Sequence, residues 1–307
     1  MERGAGLGEG EGTGRGARLI DRGGRTLHEA GRDETVRTIA RAGDFDRALA
    51  ASFAPRKARA DLLALCAFNV ELARIAEQVG EAQLGAIRLQ WWREAIARSL
   101  KGEAVGHPVA DAFGATARAR ALPVATIAAL IDARQFDVAD KIMPDWKSLE
   151  AYLKATAGAM FALGGACLGA RGPELDRAAE PAGLAYGLTG LMRGLPSHAA
   201  GGRVYLPTDM LVSRGTSPEA VLAASPSRGL CELLATLREK AREACAEARR
   251  RVAGLERAAT AAFLPLRLVD PYLAALEALD RSGADPLREV ADINPLYRFW
   301  RLASWRQ

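Results

Sequence analysis

The sequence predicts an all-α chain, and three observations carry that prediction. Ala, Leu and Arg, all strong helix formers, dominate the 307 residues, while β-branched runs are scarce. Strict alternation of apolar and polar residues never persists, as a half-buried strand would require. Apolar residues recur instead at three- and four-residue spacing between Gly and Pro punctuation. Many helices with short connections point to an antiparallel bundle.

The elements follow in order. Residues 1–32 are rich in Gly and Arg and too poor in apolar surface to order themselves, so they are expected to form a flexible tail. The single all-α domain is assigned to residues 33–307. Pro55 opens a helix running to about Val79, with Leu62, Leu65, Phe68, Leu72 and Ile75 on one face. A second helix, 84–100, is expected to direct Ile87, Trp91 and Ile96 inward in the same way. Further helices are expected at 107–120, 123–139, 148–170 and 181–195. A long amphipathic helix at 228–257 precedes two more at 265–281 and 293–305.

Composition removes several function classes. A net charge of +5 with both signs interspersed, and no basic run interleaved with aromatics, argues against a nucleic-acid partner. Weak attraction to an anionic membrane surface remains compatible with it. Cys66, Cys167, Cys231 and Cys245 are widely spaced in apolar stretches, the habit of buried free thiols. No signal peptide is apparent, and the apolar run from Ala155 to Ala170 is too short and Gly-rich to span a bilayer. A cytoplasmic protein, soluble or peripheral at the inner membrane, is the expectation. No P-loop, dinucleotide fingerprint or Ser-His-Asp order is present.

Two segments stand out. Residues 187–203, GLTGLMRGLPSHAAGGR, run into Val204-Tyr205-Leu206-Pro207, and residues 64–79 read ALCAFNVELARIAEQV. Both resemble squalene and phytoene synthases, in which matching helices carry Asp-rich motifs that hold Mg²⁺ against a prenyl diphosphate. The resemblance spans about residues 44–305. It implies an isoprenoid-synthase-type helical bundle with a central cavity. Laid on the first motif, this chain has Ala73 and Arg74 where the leading aspartates belong, and Glu77 at the third position. In the second motif the acidic positions fall on Gly194, Ser197 and His198. Mg²⁺ requires hard oxygen ligands, and one Glu offers a single anchor. No metal is therefore expected, and no other cofactor. His198 has no second His, Cys or carboxylate at ligand spacing and reads as a loop histidine.

The surviving basic and aromatic residues of both segments, Arg88, Arg93, Arg193, Arg203 and Tyr205, are candidate contacts to an anion or to the cavity. A structural reading stands beside that one: Trp91 and Trp92 wedge against neighbouring helices, and Arg88 and Arg93 pair with Glu94 or solvent. Phe68-Asn69-Val70-Glu71-Leu72-Ala73, with Leu84-Gly85, Arg88 and Trp91-Trp92, resembles the family branch that includes a complex I assembly factor. That branch implies a protein without prenyl transfer, partnered by respiratory complex I subunits or assembly intermediates. Two alternatives remain. One is a Mg²⁺-dependent prenyl transferase drawing ligands from Glu71, Glu77 or Asp209; the other is a lipid- or isoprenoid-binding module.

Overall fold

The computed structural model describes residues 27–139 and 142–304, and among these there is no strand. The helices in chain order are α1 (Leu27–Gly43), α2 (Phe45–Ala51), α3 (Arg59–Gln78), α4 (Ala82–Leu100), α5 (Pro108–Ala119), α6 (Val124–Ala133), α7 (Gln135–Val138), α8 (Trp146–Leu153) and α9 (Ala159–Cys167). There follow α10 (Pro173–Arg193), α11 (Leu195–Ala200), α12 (Thr208–Val212), α13 (Pro218–Leu222), α14 (Arg228–Val252), α15 (Arg257–Thr260), α16 (Val269–Ser282) and α17 (Pro295–Ala303). Residues 1–26 of the expected tail lie outside the described residues. Helix α1 begins at Leu27, ahead of the expected start at Asp33, and buries Val36 and Ala40.

Helix α3 is the inner staff of the bundle. It packs on α1, α5, α9 and α2, which is why Leu62, Leu65, Phe68, Leu72 and Ile75 are all buried, as their spacing predicts. Phe68 stacks on Phe113 at 4.1 Å and meets the edge of Trp92 at 5.6 Å. Helix α4 overturns part of its prediction. Its inward face is Gly85, Leu89, Trp92, Ala95 and Ile96, while Ile87 and Trp91 point outward with Leu84. The helix carries two apolar stripes, and periodicity alone does not say which one the core will take.

The predicted 148–170 helix is interrupted by a wide turn at Lys154–Gly158. The reason is a close crossing: a Cβ on Gly183 of α10 would lie 2.3 Å from the Gly158 backbone nitrogen. Helix α10 starts at Pro173, well before the predicted 181, and runs through Pro181. Burial of Leu175, Ala178, Ala179 and Ala182 overrides the break that a mid-helix proline favours. The end of α10 leads into α11 and thence to the loop at Arg203–Pro207, which lies close to the end of α3. The stretch Arg257–Ser282 is apolar and long enough to cross a membrane by composition, yet most of it is buried inside the fold, as befits a core segment. Cys66, Cys167 and Cys245 are buried and all four thiols are free. Burial pushes Cys167 up to about 12 and Cys245 up to about 11, leaving both inert.

Candidate functional site

The two motif segments meet where the end of α3 faces the α10–α11 corner. Ala73 and Arg74 are half-buried, whereas Glu77 is exposed on the last turn of α3. Gly194 joins α10 to α11, and its missing side chain leaves room for the His198 ring to fold back over it. A Cβ there would sit 2.7 Å from His198 Cε1. The imidazole thus fills the space in which a side chain at position 194 would stand, and it meets the Tyr205 ring at 4.9 Å. Ser197 is exposed. Burial, and secondarily the charge of Arg203, lower the His198 pKa to about 4, so the ring is neutral at physiological pH. Arg203 is tethered to the end of α3, since its Nη1 donates to the Ala76 carbonyl at 2.9 Å.

Behind this junction lies a carboxylate that the sequence reading missed. Asp137, on the short α7, is buried, and three donors occupy its two oxygens. Oδ1 accepts from Tyr152 Oη at 2.7 Å and from Tyr205 Oη at 3.0 Å, while Oδ2 accepts from Arg134 Nη1 at 2.9 Å. Arg134 also donates to Asn69 Oδ1 of α3 at 2.9 Å, so one network links α3, α7, α8 and the loop after α11. Burial, and then Asp137, raise the pKa of both tyrosines, which therefore stay protonated as donors. The available sequence signal was the Arg134/Asp137 pair, three residues apart in an apolar stretch. A cleft of about 360 Å³ opens beside the network, walled by Ala76, Gly80, Phe136, Asp137, Arg203 and Tyr205.

The remaining basic candidates lead elsewhere. Arg193 turns away from the junction to a second buried cluster. Its guanidinium lies 3.5 Å from the Tyr272 ring centre, donates to the Ala291 carbonyl at 3.1 Å and pairs with Asp292 at 3.3 Å. It also stands 3.9 Å from Asp46, whose carboxylate accepts from Tyr272 Oη at 2.8 Å and faces Arg298 at 3.2 Å. Arg88 reaches Gln78 Oε1 at 2.9 Å, and Arg93 is paired with Asp132 rather than the expected Glu94. Of the five candidate contacts, Arg203 and Tyr205 meet at the junction, Arg193 belongs to the Asp46 cluster, and Arg88 and Arg93 lie on the outer part of α4.

A small space lies between α2, α3 and α9. Arg47 inserts there from α2, paired with Asp44 at 2.7 Å and lying over the Tyr186 ring at 4.3 Å. Beside it is a space of about 30 Å³ among Leu62, Leu65, Cys66 and Met160. That holds about one water, whereas pockets for organic ligands begin near ~300 Å³.

The donor set does not fit the Mg²⁺ that the resemblance implies. Among the described residues no three His, Cys, Asp or Glu side chains gather as a metal site. Glu71, Glu77 and Asp209 do not gather as a metal site, and Asp137 is engaged by three protein donors. The junction can bind through hydrogen bonds and shape, but it cannot clamp a diphosphate between carboxylate-held cations.

Comparison with known proteins identifies the family and the fold. The model of the squalene/phytoene synthase family matches residues 40–293. The chain is 28% identical over 285 residues to the Bos taurus protein named NADH dehydrogenase (ubiquinone) complex I, assembly factor 6, covering 92% of this chain and 85% of that one. Against the Homo sapiens protein of the same name, identity is 26% over 278 residues, 90% and 83% of the two chains. A phytoene synthase from Rhodobacter capsulatus is 26% identical over 198 residues, 64% of this chain and 58% of that one. In structure, a squalene synthase from Alicyclobacillus acidocaldarius superposes with a TM-score of 0.72 at 22% identity, over 84% of this chain and 96% of that one. A dehydrosqualene synthase gives 0.75 at 18% identity, over 90% and 95%. The all-α isoprenoid-synthase fold expected from the sequence is thereby established.

Proposed function

The chain belongs to the squalene/phytoene synthase family, and from that premise we propose that it assists respiratory complex I assembly without catalysing prenyl transfer. The carrying observation is the junction itself: of the motif positions only Glu77 keeps a carboxylate, Arg203 ties the second segment to the end of α3, and His198 packs on Tyr205 within the second segment. Similarity over most of both chains to proteins named as complex I assembly factors supports the same reading. Loss of the cation clamp removes stabilisation of the leaving pyrophosphate, where each ~1.4 kcal/mol is tenfold in rate. Function then rests on surfaces. The partners are complex I subunits or assembly intermediates, met from the cytoplasmic side of the membrane, and no metal is required.

The test is a clean deletion strain, with assembled complex I measured in its membranes and prenyl products measured in its lipid extract. Selective loss of complex I with unchanged squalene and carotenoids is expected. Normal complex I with a missing isoprenoid would overturn the reading in favour of a retained prenyl transferase, the activity named for the Rhodobacter capsulatus relative.

A further inference from the structure

Helix α17 presents an apolar face to solvent. Asn294 caps its start by accepting from the Leu296 backbone N–H at 2.8 Å, with Pro295 in the first turn. At about 100° per residue, Arg298 and Leu302 share the inward face and are buried. The opposite face carries Leu296, Phe299 and Trp300, flanked by Tyr297, and these four are 80%, 52%, 58% and 42% exposed. The surface continues onto α2, where Phe45 is exposed, and onto the turn after it, where Phe53 lies 5.5 Å from the Phe299 ring. A soluble helix normally directs such a face inward; here the core is served by the other side.

Charge identifies what covers it. Arg301 flanks the apolar face and donates to the Arg267 carbonyl at 3.1 Å, and Arg267 donates to Ser304 at 3.2 Å. Among the described residues neither Arg267 nor Arg301 has a carboxylate partner; nearby Arg249 pairs with Asp270 at 2.8 Å. Burial first, and then the neighbouring charges of Arg301 and Arg249, push the Arg267 pKa down. Asp292, just before the helix, is engaged by Arg193 and Arg298. Leu, Phe, Trp and Tyr beside unpaired arginines is the composition of a helix lying in a lipid interface.

We propose that α17, with Arg267 and Arg301, docks this protein on an anionic lipid surface. The apolar face of a nine-residue helix alone binds a bilayer marginally, so the arginines supply the second attraction and make the binding salt-sensitive. The inference deepens the membrane part of the function proposed above. Its test contains no complex I, so its failure would leave the assembly role standing.

The full chain is floated with vesicles of phosphatidylcholine, alone or mixed equally with phosphatidylglycerol. Binding to the anionic vesicles, weakened about tenfold or more by Leu296→Ser/Trp300→Ser and by raised salt, is the expected result. Both changes are at exposed positions, and an unchanged thermal melt verifies the fold. Arg267→Gln/Arg301→Gln should lower binding to anionic vesicles without affecting neutral ones. Equal binding to both compositions, no loss in the α17 variant, or a self-associated chain that the variant renders monomeric would overturn the proposal, the last by assigning the face to a second copy.

Discussion

Asp137 and Asp46 are both buried carboxylates faced by arginine and tyrosine, but the two surroundings answer the charge to different degrees. Around Asp137 three well-formed hydrogen bonds converge, from Tyr152, Tyr205 and Arg134. Around Asp46, among the described residues, only the Tyr272 hydroxyl makes such a bond; Arg298 Nε, 3.2 Å away, is buried without hydrogen-bond geometry, and Arg193 stands off at 3.9 Å. Burial accordingly raises the Asp46 pKa against the pull of Tyr272, Arg298 and Arg193. A carboxylate inside this bundle is thus not a spare metal ligand. The better placed of the two is consumed in holding α3, α7, α8 and the loop after α11 together.

Substitution at the two sites should separate them. Asp137→Ala strands the buried Arg134 guanidinium and should destabilise the fold by about 3–5 kcal/mol, read by denaturant melts. Asp46→Ala should lose only about 1–3 kcal/mol, because Arg298 keeps Asp292 at 2.7 Å and Arg193 keeps the Ala291 carbonyl. Equal losses would break the comparison.

Acid sharpens it. Between the ordinary histidine value of 6.5 and the folded value of about 4, unfolded chains bind a proton at His198 that folded ones do not. Stability from this group is therefore complete above pH 6.5 and falls as pH drops toward 4, by roughly 2 kcal/mol after allowing for partial exposure. His198→Gln should remove that slope. Asp46 acts with the opposite sign: its raised pKa makes the folded state bind its proton first, so its contribution rises as pH falls toward the ordinary carboxylate value of 3.8. The wild-type-minus-variant difference in melts from pH 7 to 4 isolates the histidine. The smallest effect is expected at Glu77→Ala, whose exposed side chain should move stability by less than about 0.5 kcal/mol.

What the sequence discloses follows from range. The α3 core face is legible because Leu62, Leu65, Phe68, Leu72 and Ile75 repeat within one helix. The emptied motif is legible because Ala73, Arg74, Gly194, Ser197 and His198 stand at fixed positions in recognisable frames. Asp137 is not, since Asn69, Tyr152 and Tyr205 reach it from distant elements and no local spacing joins them. The outward turn of Trp91 escapes for another reason, because α4 offers two stripes and only neighbouring helices select one. Arg193 and Arg203, equal in sequence as motif remnants, part company because one meets the Asp46 cluster and the other a carbonyl of α3.

The most direct measurement is complementation of a deletion strain with the Glu77→Ala variant, scoring assembled complex I and its NADH:quinone activity at matched protein levels. Restoration equal to wild type is predicted, since the proposed role makes no use of the last carboxylate at the motif positions. Failure to restore complex I by a stably folded Glu77→Ala protein would contradict the claim that this member works without metal chemistry.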